Sequence, residues 1–127
     1  MTKLSRKQLP ATQKGKIIEQ LWRAFASLEN KNEVHDFLHD ILTHTEIEML
    51  AKRLQVVVML DQGFTYEQIK KALNISEATI SKIQNWRQAF GAGYDIVIRK
   101  LRSGSKFRKV SNKVISSRSA AARIWQN

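Results

Sequence analysis

The chain has 127 residues, 43% of them hydrophobic, with one proline, five glycines and no cysteine. That composition allows one globular core, favours long helices over turn-rich β structure, and excludes disulfides, thiolate zinc sites and a cysteine nucleophile. The formal net charge of +11 is large for this size and unevenly placed: residues 1–25 carry six Lys/Arg against Glu19, residues 26–95 seven against ten acids, and residues 96–127 nine against none. A near-neutral body with two basic ends suits a polyanion, because each phosphate neutralised releases condensed counterions. An acidic membrane surface would attract the same arms, and some basic tails only aid solubility.

No apolar run approaches the ~18 residues needed to cross a bilayer. The start, Met1 to Gln13, is polar and basic without an apolar signal core, so a cytoplasmic protein with no membrane partner is expected. Three- and four-residue recurrence of Ile17, Ile18, Leu21, Trp22, Phe25 and Leu28 predicts a first helix over about 13–28. A second helix is expected from Glu33 to Leu42, with Val34, Phe37, Leu38, Ile41 and Leu42 inward and Asn32 as N-cap. Thr45 followed by Glu48 reads as a capping box opening a third helix that runs to about Gln62. Its expected stripe is Ile47, Leu50, Ala51, Leu54, Val57 and Val58, and Gly63 is its stop. Val56-Val57-Val58 would suit a strand locally, but cap, length and period all favour helix.

Thr65 and Gln68 form a further capping box, opening a short helix that ends at Leu73. Ser76 caps the next, which runs to about Phe90; Gly91-Ala92-Gly93 interrupts the chain before a last helix from Tyr94 to Leu101. Residues 103–127 read as a mobile basic tail in which Ser119 to Trp125 could become helical against a partner. The expected organisation is a basic arm over 1–12, an all-α domain over 13–102 and the tail.

Tyr66 to Trp86 carries the main functional signal, a helix-turn-helix. Two helices crossing steeply need apolar residues at fixed offsets to cover each other. Ile69 and Leu73 supply them on the first helix, Ile75 in the turn, and Ile80 and Ile83 on the second. Asn74 falls where the turn calls for a left-handed backbone. With Ile80 and Ile83 inward, Glu77, Ala78, Ser81, Lys82 and Asn85 turn outward. Side chains of this kind read base edges: Ala78 a thymine methyl, Ser81 a base or phosphate, Lys82 guanine or the backbone, Asn85 adenine. Thr79 at the edge of that face suits phosphate, and Tyr66 and Lys70 on the preceding helix would flank the backbone. The plain alternative is a helical hairpin serving only the core.

The run Thr43-His-Thr-Glu-Ile-Glu-Met-Leu-Ala-Lys-Arg53-Leu, then Leu60-Asp-Gln-Gly63, Tyr66-Glu-Gln-Ile69 and Ser76-Glu-Ala-Thr-Ile-Ser-Lys82, resembles the tryptophan repressor superfamily. Gly91-Ala-Gly-Tyr94 is similar to its YerC/YecD-type TrpR-related branch. The likeness covers about residues 13–102. It implies an intertwined helical homodimer whose two reading helices lie ~34–36 Å apart on a roughly palindromic site of double-stranded DNA. It also implies an effector pocket, in which Arg53 matches one of two ligand-binding arginines. Lys82 stands in place of the other, Ile83 in place of a slot-opening glycine, and Trp86 in place of a serine that bonds the ligand. Lysine lacks the planar fork of arginine, and the bulky pair is expected to fill the pocket, with Trp86 in the space of a free indole. A tryptophan corepressor is therefore disfavoured and no other cofactor is expected. Arg53 could equally serve in a surface salt bridge to Glu46 or Asp61.

His35 and His39 lie one helical turn apart, a spacing that can hold metal, but only His44 or Asp40 offers a third ligand and no metal site is expected. No phosphate-cradling glycine loop, Ser-His-Asp grouping or paired carboxylates in a cleft suggest an enzyme. The expected function is a dimeric, DNA-binding transcriptional regulator, repression favoured over activation. The alternatives are a protein-interaction module that uses the helix-turn-helix as scaffold, and RNA binding through the basic tail.

Overall fold

The computed structural model describes residues 7–103, which form six α-helices and, among those residues, no strand. They divide into two compact units at Ile47 and Glu48, inside the third helix. The basic tail and the first residues of the N-terminal arm lie outside the described residues.

In the first unit, α1 (Ala11–Ala26) starts two residues earlier than expected, because Pro10 at its N-cap needs no amide partner. It stops at Ser27, whose hydroxyl donates to the Ala24 carbonyl at 2.7 Å. None of its residues is buried: Ile17, Ile18, Trp22 and Phe25 all lie exposed along one apolar face. Phe25 meets Phe37 of α2 (Lys31–Ile41) edge to face, with centroids 5.4 Å apart. The N-cap of α2 is Asn30, not Asn32: its side chain accepts from the Glu33 amide at 3.0 Å, while Glu33 Oε1 accepts from the Glu29 amide at 2.8 Å. Asn30 prevails because it has an acid three residues on, which Asn32 lacks.

The start of α3 (His44–Asp61) likewise differs from expectation. Thr43 replaces Thr45 as the capping hydroxyl: Thr43 Oγ1 accepts from the Glu46 amide at 3.1 Å, and Glu46 Oε1 accepts from the Thr43 amide at 2.8 Å. The Thr43 amide first, and its hydroxyl second, hold the Glu46 carboxyl below its ordinary range. A carboxyl lowered by folding stabilises above its unfolded value and ceases to do so as pH falls through its folded one. Acid titration followed by far-UV circular dichroism should therefore show fraying of this helix start below the usual carboxylate range. Glu46→Ala should flatten that part of the curve, and an unchanged curve would rule the cap out as its source.

The second unit holds the core. Val56, Met59, Ile69, Leu73 and Ile80 form one buried cluster, backed by Leu60, Phe64, Tyr66, Ala72, Ile75 and Ile83. Val57, Val58 and Ile98 form another, backed by Leu54, Ile83 and Tyr94. Ile83 packs against both. The expected single stripe on α3 is thus incomplete: Gln55 to Met59 are all buried, whereas Leu50 is exposed. The middle of α3 is covered on more than one side, by α4 (Tyr66–Leu73) and α5 (Glu77–Phe90) over one face and α6 (Ala92–Arg102) over another. Val56 to Val58 are helical, because enclosure rewards bulk here and outweighs their local β preference.

Gly63, with φ +88°, takes the left-handed turn after α3. The Thr65–Gln68 capping box is formed in both directions, at 3.2 and 2.9 Å. Gly91 alone separates α5 from α6, so the last helix begins at Ala92 and not at Tyr94. A Cβ at Gly91 would collide with the Arg87 carbonyl, which is why the tight joint needs glycine there; at Gly93 a Cβ would meet nothing.

Charge also ties three helices together. The Arg87 guanidinium donates to Asp61 at 3.1 Å and reaches Asp95 at 3.5 Å, and Arg102 donates to the other oxygen of Asp61. The side chains of Asp61 and Arg87 are only 15% and 18% exposed.

Candidate nucleic-acid interface

The candidate interface is assembled by short-range chemistry. The Thr65 box starts α4, and Asn74 turns the chain in the left-handed region, with φ 54° and ψ 51°. Ser76 then accepts from the Thr79 amide at 3.2 Å to start α5. Ile80 on α5 is fully buried and Ile83 half-buried. Glu77, Ala78, Thr79, Lys82 and Asn85 are exposed, and Ser81 is half-buried at the foot of the same face. The outward edge inferred from the sequence is therefore present and uncovered by the rest of its unit.

Other predicted positions differ in detail. Tyr66 is half-buried, with its side chain packed against the core, so it is less free than a surface tyrosine. Lys70 is exposed on α4, where Lys71 pairs with Glu67 at 3.6 Å. The hydroxyls of Ser76 and Thr79 bond each other at 2.9 Å, so part of their capacity is committed to the cap.

Arg53 is exposed, and neither expected salt bridge forms: Glu46 Oε1 faces the Thr43 amide, and Asp61 is held by Arg87 and Arg102. Arg53 instead borders a cleft of about 490 Å³ whose other walls are Thr79, Lys82, Ile83, Trp86 and Tyr94. A smaller hollow of about 200 Å³ shares Arg53, Thr79 and Ile83 with it. The expectation that Ile83 and Trp86 fill this space is not met. Trp86 is 61% exposed and leans on Phe90, ring centroids 4.9 Å apart, so the indole forms a wall of the cleft and does not plug it. Tyr94 was missed as a wall because, in sequence, it only marked a helix start after a glycine-rich step.

His35 and His39 stack at 4.1 Å, with Nδ1 of His35 facing Asp36 and Nδ1 of His39 facing the His35 carbonyl. Among the described residues no group of three or more His, Cys, Asp or Glu is placed to hold a metal ion. No helix among them is long and apolar enough to cross a membrane.

A left-handed Asn turn between two capped helices, an inward Ile80 and a free polar edge on the second helix define a helix-turn-helix protein of the all-α class. Residues 16–102 match the Trp repressor protein family, and the chain belongs to it. YerC of Bacillus subtilis strain 168 is 33% identical over 89 residues, 70% of this chain and 86% of that protein. A TrpR-like protein from Eubacterium eligens superimposes with a TM-score of 0.64 at 36% identity, covering 68% of this chain and 89% of that one. A candidate Trp repressor from Staphylococcus aureus gives 0.66 at 32% identity, covering 74% and 96%.

Proposed function

We propose that the protein is a sequence-specific, double-stranded DNA-binding transcriptional regulator, acting in the cytoplasm as a homodimer and more as repressor than activator. The observation that carries this reading is the exposed edge of α5 from Glu77 to Asn85 above a fully buried Ile80. Small and hydrogen-bonding side chains on a helix held from behind suit entry into a major groove about 12 Å wide. The apolar face of α1 supports the homodimer, since among the described residues Ile17 and Trp22 are more than half exposed. In this reading no catalytic step is assigned to any residue.

Selection from random duplexes with the purified full chain tests the proposal. A roughly palindromic consensus is expected, and recovery of no preferred sequence would overturn it. Within that assay Lys82→Ala should cost ~1–3 kcal/mol and relax choice at one position per half-site. Removing residues 103–127 should instead weaken all sites alike and flatten the salt dependence.

Tryptophan is not the effector in this proposal. The cleft offers one arginine, Arg53, and at the second position the point charge of Lys82. Titration calorimetry is expected to show no binding of tryptophan at micromolar concentrations; a micromolar Kd would reverse the assignment.

A further inference from the structure

Two acids lie on the reading head between Phe64 and Phe90, and they are placed differently. Glu67, in the first turn of α4, pairs with Lys71. Glu77 opens α5, is exposed, and no ion pair or side-chain hydrogen bond holds it among the described residues. It shares its face with Ala78, Ser81, Lys82 and Asn85, on the edge that the proposed function turns toward the duplex.

A carboxylate on such an edge has a definite electrostatic consequence. It approaches a surface with one negative charge per ~1.7 Å of helix axis, so every bound complex carries a repulsion that the other reading residues do not introduce. It also loses hydration on entering the groove, which is costly unless a donor replaces the water. The major-groove edges of guanine and thymine present acceptors where a carboxylate needs a donor. Adenine offers its N6 amine beside the N7 acceptor, and cytosine offers N4. Ala78 next to Glu77 is small enough to let the helix approach closely, so the carboxylate can reach a base edge.

We infer that Glu77 is a specificity-determining residue that accepts a hydrogen bond from cytosine N4 at one position of each half-site and excludes other bases there by repulsion. This inference rests on the DNA-reading function proposed above. The competing role is structural: an acid in the first turn complements the helix dipole, typically by a few tenths to one kcal/mol, with no influence on base choice.

The two roles separate experimentally. Random-duplex selection is run on the full-length wild-type chain, on Glu77→Gln and on Glu77→Ala, with melting temperatures recorded for each. In the wild type, a C·G pair is expected at one fixed position per half-site. In both variants preference at that position should fall about tenfold or more, with the remaining consensus unchanged. Binding to random-sequence DNA should tighten, because a repulsive charge has gone. An unchanged consensus in the variants overturns the assignment, and so does a uniform weakening at every position with a lowered melting temperature, which marks the dipole role. A wild-type chain with no consensus defeats the regulator reading itself, an outcome distinct from a wild-type consensus insensitive to Glu77.

Discussion

Ile80→Ala is expected to lower folding stability by about 3–4 kcal/mol, as for other large-to-small changes at enclosed aliphatic positions. Ile80 has no exposed surface and packs in the cluster of Val56, Met59, Ile69 and Leu73, where α3, α4 and α5 converge. Truncation removes three carbons and leaves a void that rigid neighbours close only in part. The same side chain fixes which edge of α5 faces outward, so the DNA affinity that the proposed function requires should fall with it at temperatures well below melting. Urea denaturation gives the stability change. A loss under about 1 kcal/mol would mean that α5 is not anchored through this position.

Asp61→Ala should be nearly as costly, at about 3 kcal/mol, for a different reason. Its carboxylate receives Arg87 from α5 and Arg102 from α6, and the Arg87 side chain is 18% exposed. Deleting the acid leaves a mostly covered guanidinium with only Asp95, at 3.5 Å, to balance it. Breaking one side of a covered ion pair is worse than replacing the pair by apolar groups. The double substitution Asp61→Ala with Arg87→Met should therefore recover part of the loss, whereas independent sites would show simple addition. Thermal melts of the two single variants and the double variant provide that cycle; additivity within about 0.5 kcal/mol would remove the network from the account.

The contrast between these two sites explains how far the sequence could be read. The turn from Leu73 to Glu77 was legible residue by residue, because the Thr65 box, the left-handed Asn74 and the Ser76 cap are all chemistry within three or four positions. Local chemistry was also ambiguous where it repeated. Thr43 and Thr45 each precede a glutamate by three residues, and Asn30 and Asn32 are both competent caps. The helix starts at 31 and 44 were accordingly misplaced by two residues. The single-stripe expectation for α3 failed because a helix with neighbours on several sides buries consecutive residues, Gln55 to Met59, and loses its periodic signature. Asp61, Arg87 and Arg102 are separated by 26 and 41 positions, and no spacing rule connects them. The candidate reading residues were found because outwardness follows from the inwardness of Ile80. The cleft was misjudged because side-chain bulk was counted without side-chain direction: Trp86 turns to Phe90 and leaves the space between Arg53 and Tyr94 open.

The joint at Gly91 has a mechanical consequence. One residue caps the end of α5 and the start of α6, and no slack exists in which a twist could dissipate. The geometry is that of a crank and its arm: with a single residue between them, a rotation of α6 has little chain in which to be absorbed before it reaches α5. The angle at which α5 presents its exposed edge is thus tied to how α6 is held against Val57 and Val58.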